Sequence, residues 1–258
     1  MRVVKMHGAR NDFVIVDTRR DHVDDVSALA RRLCDRRTGI GADGLLLVEP
    51  STLAAARMRI INADGSEAEM CGNGVRCFAR YIDGERAGDA LAIETASGVV
   101  RTEVISRAPE YRVKVALPVP IRFEPPQSSG SPPALDSSYV RVGNPHVVVF
   151  CDTVENVDLD ALAARFQTQF PEGVNVHVVS VVDRHTLRAR HWERGVGQTQ
   201  ACGTGSAATA VAAIDRGVAR SPVEVIVPGG TLRIEWDGGA LSLTGPAEHV
   251  FETTIDAP

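Results

Sequence analysis

An internal repeat constrains the fold of this 258-residue chain more than any other feature of its sequence. Residues 69–80 read EMCGNGVRCFAR, and residues 200–211 read QACGTGSAATAV. Each segment places one cysteine directly before a Gly-x-Gly step that opens a run of helix-forming residues. Similarity at a fixed offset indicates duplicated structural units. Two more pairs of segments fall into register at nearly the same offset, namely 9–17 with 142–152 and 91–104 with 223–236.

A linker separates the two copies. Residues 118–138, PVPIRFEPPQSSGSPPALDSS, are rich in proline and serine, which is typical of a connecting segment. We therefore predict a first domain over 1–117 and a second over 118–246. A final strand within 247–258 is expected to return to the first domain.

Periodicity predicts the same order of elements in both copies. In the first copy we predict helices over 24–36 and 72–84, and strands over 2–6, 13–17, 45–48, 57–61, 91–95, 99–105 and 112–117. In the second copy we predict helices over 158–169 and 203–216, and strands over 139–142, 146–150, 174–182, 186–192, 223–227, 231–236 and 240–244. The second cysteine helix is small or apolar on every face before Asp215, so we expect it to lie in a core. The expected fold class is α+β (mixed α/β), with two pseudo-symmetric domains that each wrap a curved sheet around a central helix.

Composition narrows the classes of function. Apolar residues make up 44% of the chain and charged residues 24%, which is typical of a soluble globular protein. The net charge of -5 gives no reason to expect nucleic acid or an anionic membrane as a partner, so a small molecule is the expected ligand. Residues 1–12 lack the apolar core that a signal peptide needs, and no apolar run approaches the roughly 18 residues of a membrane span, so we expect neither feature. Its five cysteines are expected to be reduced thiols of a cytoplasmic protein.

A cysteine at the start of a helix has two chemical uses. The first turn of a helix carries unpaired N–H groups and a partial positive charge, so it binds carboxylates and favours a thiolate over a thiol. We expect an anion to reach the N–H groups of Gly72, Asn73, Gly203 and Thr204. The same position typically lowers the pKa of a cysteine from about 8.5 towards the working range of a general acid or base.

Two such thiols suggest a specific reaction. If a pseudo-twofold axis relates the copies, both helix starts point at one ligand from opposite sides. One thiolate would remove a proton from a stereocentre next to a carboxylate, and the other thiol would return a proton to the opposite face. The N–H groups would stabilise the developing charge, so neither a cofactor nor a metal is expected. The other cysteines, Cys34, Cys77 and Cys151, are expected to be packing residues.

The sequence resembles the diaminopimelate epimerases, which interconvert LL- and meso-diaminopimelate without a cofactor. The resemblance covers essentially the whole chain and implies a role in making lysine and peptidoglycan precursors, and a homodimer. Its motifs are MHGARNDF at 6–13, NADGSEAEMCGNGVRCFARY at 62–81, GNPH at 143–146, GVNV at 173–176 and WERGVGQTQACGTGSAA at 192–208.

The resemblance also implies roles for individual positions. Cys71 and Cys202 match the paired acid/base cysteines, each the base for one stereoisomer and the acid for the other. His146 and Glu193 match residues thought to tune the pKa values of these cysteines. The positions that match substrate-binding residues are Asn11, Asn62, Gly72, Asn73, Asn144, Asn175, Glu193, Arg194, Gly203 and Thr204. The chain departs from many relatives at Gly44, where they carry glutamine.

Parts of the sequence also fit other classes of protein. GTGSAA at 203–208 fits the Gly-x-Gly-x-x-Ala pattern of a nicotinamide-dependent dehydrogenase, although residues 193–202 separate it from the preceding predicted strand. A pyridoxal racemase would have to use Lys5 or Lys114, and no CxxC or HxxxH spacing indicates a metal site. A non-catalytic amino-acid-binding protein would have no use for two cysteines.

Related cofactor-independent enzymes are a further alternative. Proline racemases and phenazine-pathway isomerases share the expected fold. The first usually differ from CGNG after the leading cysteine, and the second lack the cysteine pair. The matches at Asn62, Asn175 and Arg194 favour diaminopimelate as the substrate.

Overall fold

The computed structural model describes residues 1–68, 70–83, 88–125 and 136–256. Part of the predicted linker (126–135), residue 84 of the second predicted helix and residues 257–258 lie outside the described residues. The chain forms two compact units, Met1–Val115 together with Thr244–Pro258, and Ala116–Leu243.

The elements follow one another in an order that repeats. Along the chain they are β1 (Arg2–Gly8), β2 (Asn11–Asp17), α1 (Val26–Cys34), β3 (Gly44–Glu49), β4 (Ala56–Asn62), β5 (Glu67–Ala68), α2 (Gly72–Ile82), β6 (Ala90–Thr95), β7 (Gly98–Ser106), β8 (Arg112–Leu117), β9 (Ile121–Arg122), β10 (Ser137–Val142), β11 (Asn144–Phe150), a 3-10 turn (Val154–Asn156), α3 (Leu159–Gln167), β12 (Asn175–Asp183), β13 (Thr186–Glu193), β14 (Gly197–Thr199), α4 (Gly203–Asp215), β15 (Val223–Val227), β16 (Gly230–Trp236), β17 (Leu241–Pro246) and β18 (Glu248–Thr254).

Strand pairing repeats as well. In the first unit β1 and β2 are antiparallel, β2 and β3 parallel, β3 and β4 antiparallel, β4 and β6 parallel, and β6 and β7 antiparallel. The second unit has the same five pairings in the same order, between β10, β11, β12, β13, β15 and β16. Each parallel pair is joined through a helix, because parallel neighbours need a long crossover. The predicted repetition of elements is therefore confirmed, and β18 pairs antiparallel with β1.

One helix lies at the centre of each set of strands. The helix α2 contacts β1, β2, β3, β4, β6 and β7, and α4 contacts the six strands that correspond to them. In α4 all residues from Gly205 to Ala213 are buried, as its small and apolar composition predicts. The mixed α/β fold class with a central helix in each copy is confirmed.

The outer helices cover the other face of the same strands. The helix α1 packs Leu29 and Leu33 against Val14 and Leu47. The helix α3 packs Phe166 in the corresponding cluster of the second unit. Asp25 and Asp158 begin these helices, each accepting a hydrogen bond from a backbone N–H of the first turn, which is the preferred N-cap chemistry.

The short elements were not predicted. The strands β5, β9 and β14 and the 3-10 turn have two or three residues each, which is too short to produce a periodic pattern. Strand β14 lies inside residues 193–202, the stretch between the predicted strand over 186–192 and α4. None of the helices in the described ranges has both the length and the apolar character required to cross a membrane.

Candidate active site

The α2 site consists of Cys71, Gly72, Asn73 and Asn11. The side chain of Asn11 is held from both ends: its Nδ2 donates to Asp43 Oδ2 at 2.7 Å, and its Oδ1 accepts from Asn73 Nδ2 at 3.1 Å. The same Oδ1 accepts from Cys71 Sγ at 3.5 Å. Because Asp43 requires a donor, the amide of Asn11 must present its oxygen to the sulfur, and this acceptor favours a protonated thiol at Cys71.

A strained turn places Asn11 at this point. Ala9 and Arg10 join β1 to β2 with φ values of 54° and 64°, in the left-handed region that residues other than glycine rarely occupy. A two-residue hairpin turn with both φ positive matches the twist of antiparallel strands. Such strain persists where the surroundings enforce it, often beside functional groups.

The α4 site consists of Cys202, Gly203, Thr204 and Glu193. Cys202 is the N-cap of α4, and its Sγ accepts from the N–H of Gly205 at 3.3 Å. The Thr204 hydroxyl lies 3.7 Å from the same sulfur. Glu193 Oε1 accepts from the Thr199 hydroxyl at 2.6 Å.

The expected lowering of the thiol pKa is wrong for Cys202 in this structure. The side chain is buried, with 4% of its surface exposed, and burial raises the pKa of the thiol well above its ordinary value. The charge of Glu193 acts in the same direction, whereas the Gly205 N–H and the Thr204 hydroxyl act against it. Desolvation therefore outweighs the helix start, so Cys202 is a thiol at neutral pH.

Three further predicted residues lie together at the end of β12 and β13. Asn175 Nδ2 donates to the carbonyl of Pro145 at 3.2 Å, and its Oδ1 accepts from the N–H of Arg194 at 3.0 Å. The Arg194 guanidinium donates to the carbonyl of Glu172 at 2.6 Å. Asn175 thus joins the GNPH segment, which contains Asn144, to the segment that carries Glu193 and Arg194.

Within the described residues, no hydrogen bond joins Asn62 or Asn144 to a cysteine. Asn62 ends β4, and its Nδ2 donates to the Ser66 hydroxyl at 2.9 Å within its own turn. Asn144 is exposed and, within the described residues, makes no side-chain hydrogen bond. Gly44 pairs with Asn62, and a Cβ at Gly44 would lie 3.0 Å from the carbonyl of Ile61, so a larger residue there requires a small backbone shift.

A buried imidazole cluster (His146, His177 and His191) lies behind the α4 site, and the sequence did not predict it. His146 Nδ1 lies 2.8 Å from His177 Nε2, His177 Nδ1 lies 2.9 Å from His191 Nδ1, and His191 Nε2 lies 3.1 Å from the Ser206 hydroxyl. His146 therefore contacts His177 and not Cys202. The sequence does not show this cluster, because it depends on the strand register that places His177 opposite His191 in β12 and β13.

All three rings are neutral. Burial lowers the pKa of His146 and of His191 to about 3, and it lowers the pKa of His177 well below the ordinary value. The cluster packs closely on α4: a Cβ at Gly205 would lie 2.5 Å from His177 Cε1 and 3.0 Å from Cys202 Sγ. The glycine at this position lets the ring and the sulfur approach the same point.

Each site combines a thiol with the N–H donors of a helix start. By helix geometry the N–H groups of Gly72, Gly203 and Thr204 lack partners within their helices, so each site can bind a carboxylate beside a group that can exchange a proton. No group of three or more His, Cys, Asp or Glu side chains in the described part of the chain is arranged to hold a metal ion. Lys5 is paired with Asp12 at 2.6 Å, which does not fit a Schiff-base lysine.

Comparison with solved structures identifies the fold. The chain is similar to a phenazine biosynthesis protein of the PhzF family from Bacillus anthracis, with a TM-score of 0.76, 16% identity, and coverage of 100% of this chain and 99% of that one. It is also similar to a hydroxyproline epimerase from Agrobacterium vitis, with a TM-score of 0.71, 15% identity, and coverage of 99% and 90%. A probable proline racemase from Agrobacterium radiobacter is also similar, with a TM-score of 0.72, 16% identity, and coverage of 100% and 93%. The expected sharing of one fold with phenazine-pathway proteins and proline racemases is confirmed.

Comparison of sequences identifies the family. The family profile described as diaminopimelate epimerase matches residues 3–118 and 138–250. Curated proteins named diaminopimelate epimerase from Rhizorhabdus wittichii and Moorella thermoacetica are 44% and 42% identical to this chain. The first alignment covers 99% of this chain and 96% of the relative, and the second covers 97% and 98%. The chain therefore belongs to the diaminopimelate epimerase family.

Proposed function

We propose that this protein is an isomerase that interconverts LL- and meso-2,6-diaminopimelate by proton transfer at one α-carbon. The observation that carries the proposal is the pair of cysteines, each at the first turn of a buried central helix and each beside N–H groups suited to a carboxylate. Membership of the family supports diaminopimelate as the substrate. The product would serve the biosynthesis of lysine and of peptidoglycan precursors.

The reaction needs two proton carriers and no net oxidation. One cysteine, as thiolate, takes the α-proton, and the C–H electron pair is delocalised into the adjacent carboxylate. The other cysteine, as thiol, gives its proton to the opposite face of the same carbon, so the configuration inverts and the two sulfurs exchange protonation states. The N–H groups of Gly72, Asn73, Gly203 and Thr204 would stabilise the developing charge on the carboxylate.

Recognition of the second amino-acid centre would distinguish diaminopimelate from proline. That centre carries an ammonium and a carboxylate, so it requires both acceptors and an arginine. Asn175 and Arg194, which bond to each other, and the nearby Glu193 offer these groups, and Asn11, Asn62 and Asn144 would complete the set. His146 would act on Cys202 only through His177.

We further infer a homodimer, as the resemblance to the family implies. We also infer a reducing compartment, the cytoplasm, because the mechanism requires reduced thiols. None of the five cysteines forms a disulfide with another described residue. Size-exclusion chromatography with light scattering tests the assembly, and a monomer at working concentration would contradict it.

The deciding experiment is incubation of LL-diaminopimelate with the enzyme in heavy water under reducing conditions. With two separate proton carriers, early meso product carries deuterium at the inverted carbon while the remaining LL substrate still carries hydrogen. A single carrier would return the original proton, and early product would then lack deuterium. This second result would contradict the two-thiol mechanism.

Variants assign the carriers. Cys71→Ala and Cys202→Ala should each reduce kcat/KM for epimerisation by at least about 10²-fold, the scale of general acid–base catalysis. Cys151→Ala, which removes another free and partly buried cysteine, is the matched control and should keep full activity. Full epimerisation by either of the first two variants would overturn the assignment.

A further inference from the structure

Arg76 of α2 is a buried arginine that has no counter-ion among the described residues. It is the fifth residue after Cys71, and its side chain is 0% exposed. Its Nε donates to the carbonyl of Pro246 at 3.0 Å, Nη2 to Asn73 Oδ1 at 2.9 Å, and Nη1 to the carbonyl of Gly72 at 3.3 Å. All three acceptors are neutral, and among the described residues no carboxylate pairs with Arg76.

Burying a charge in this way is costly. The effective penalty for an ion taken out of water is about several kcal/mol even after relaxation. Burial lowers the pKa of Arg76 to about 10, with the nearby Cys77 and Cys71 sulfurs acting in the opposite direction, so the guanidinium is still charged at neutral pH. A Cβ at Gly8 would lie 3.0 Å from Nη2, so the MHG segment leaves room for this group.

Packing alone does not require an arginine here. The corresponding fifth residue after Cys202 is Ala207, which is also 0% exposed in a helix that contacts the corresponding strands. Two of the three groups that Arg76 binds, Gly72 and Asn73, belong to the α2 site itself. The charge is therefore held directly behind the turn that carries Cys71.

Few nearby groups can balance this charge. Burial raises the pKa of Cys77 to about 12, so Cys77 stays a thiol. The positive charge of Arg112 also lowers the pKa of Arg76, so Arg112 cannot balance the charge. Several charged side chains on the strands packed against α2 have other partners, as in the pairs Lys5–Asp12, Arg19–Asp17, Arg59–Glu49 and His7–Glu248. Arg101 and Glu103 of β7 are exposed to solvent. Among the described residues the remaining candidate is the Cys71 thiolate, and a carboxylate bound at the α2 turn would be a second one.

We propose that Arg76 is a positioning residue whose buried positive charge favours negative charge at the α2 site, on the Cys71 sulfur and on a carboxylate bound beside it. In the free enzyme the Asn11 oxygen opposes this charge by accepting from the thiol. The α4 site has no matching cation in its helix and has Glu193 instead. Of the two cysteines, Cys71 is therefore the one that ionises at lower pH. The link to epimerisation rests on the proposed function, but the charge effect on Cys71 does not.

The first test uses the unmodified protein. Iodoacetamide alkylation is followed between pH 5 and pH 10, and the modified peptides of Cys71 and Cys202 are quantified separately by mass spectrometry. The pH midpoint of each rate reports ionisation independently of how accessible the sulfur is. We expect the midpoint of Cys71 to lie below that of Cys202. A lower midpoint for Cys202 would overturn the proposal.

The second test removes the charge. Arg76→Met should raise the Cys71 midpoint by about 1 to 3 pH units, the usual effect of a nearby opposite charge, and should leave the Cys202 midpoint unchanged. Arg76→Lys keeps a cation and should restore at least half of that shift. Arg80→Met is the matched control: Arg80 lies one turn further along α2, donates to the carbonyl of Ala247 at 2.5 Å and stacks on Tyr111. It should move the Cys71 midpoint little.

The outcomes separate the two proposals. A folded Arg76→Met protein with an unchanged Cys71 midpoint would overturn the role of Arg76, whatever substrate the enzyme uses. If Arg76→Met does not fold, Arg76→Lys and the unmodified protein still decide it through the midpoints. A protein that shifts as expected but does not epimerise diaminopimelate would keep the role of Arg76 and overturn the proposed substrate. With the substrate, the acidic limb of the kcat/KM profile should move to higher pH in Arg76→Met.

Discussion

The α2 site and the α4 site have corresponding backbones, but the described side chains that bond to the sulfur or lie behind it differ. Cys71 and Cys202 both begin a central helix in an extended conformation, between corresponding strands. At the α2 site the thiol donates to Asn11, and the cation of Arg76 lies behind the first turn. At the α4 site the sulfur accepts from the Gly205 N–H, and three neutral imidazoles lie behind it.

The difference between the two sites shows that duplication alone does not determine which cysteine is the thiolate. A repeated backbone supplies two equivalent thiols, but inversion needs one thiolate and one thiol at the same moment. Two equivalent groups that interact would share one ionisation between them. Different side chains behind the two helices remove this ambiguity, because one site favours negative charge and the other disfavours it.

The imidazole cluster, which lies in the second unit, is expected to have the largest effect, on the pH dependence of the free energy of unfolding. Because burial keeps His146, His177 and His191 neutral in the folded state, only the unfolded chain takes up their protons below its ordinary pKa of about 6.5. The free energy of unfolding should therefore fall as the pH falls below about 6.5, by up to about 4 kcal/mol per pH unit for three histidines. The loss continues towards pH 3, where His146 and His191 themselves begin to titrate in the folded state.

Urea unfolding between pH 7 and pH 5 tests this expectation. The only two tryptophans, Trp192 and Trp236, lie in the second unit, so their fluorescence follows the unit that contains the cluster. His191→Gln should reduce the pH dependence by about one third. His22→Gln, at a side chain that is 87% exposed, should leave it unchanged. Constant stability over this range would contradict neutral burial of the cluster.

The sequence predicted the fold to the level of element order, and the reason is visible in α4. Its alanine-rich composition predicts that it lies in a core, and the repeat then predicts the same position for α2. The role of the two cysteines could be predicted for the same reason, since two copies of one motif carry more information than one. The imidazole cluster could not be predicted, because it depends on the register of His177 against His191, and register is set by pairing between strands. The raised pKa of Cys202 was missed because burial cannot be read from a helix-start motif.

The second glycine of each motif, Gly74 or Gly205, offers a smaller, matched comparison. Gly205→Ala would place a Cβ 2.5 Å from His177 Cε1, and this overpacking should cost about 1 to 3 kcal/mol and displace either the ring or Cys202. Gly74→Ala, at the corresponding position of α2, meets Leu46 at 3.3 Å and Cys71 Cβ at 3.6 Å. Its strain should be offset by the gain of about 1 kcal/mol in helix propensity.

Thermal unfolding and alkylation of the cysteines measure both effects. Gly205→Ala should destabilise the protein and change the alkylation rate of Cys202, whereas Gly74→Ala should leave both properties close to those of the unmodified protein. Equal losses in the two variants would mean that the imidazole cluster does not define the surroundings of Cys202.

The N-caps of the outer helices give the smallest effect and test where the two units are alike. Asp25 accepts from Ala28 N at 2.8 Å, and Asp158 accepts from Ala161 N at 3.1 Å. Asp25→Ala and Asp158→Ala should each cost about 1 kcal/mol, because each leaves one first-turn N–H without its acceptor. Asp24→Ala, at a side chain that is 94% exposed, is the control and should cost almost nothing. Urea unfolding followed by circular dichroism measures all three. If only one of the two variants lost stability, the two units would share their topology but not the free energy of their N-caps. The contrast between the α2 and α4 sites could then not be assigned to the side chains around the sulfurs alone.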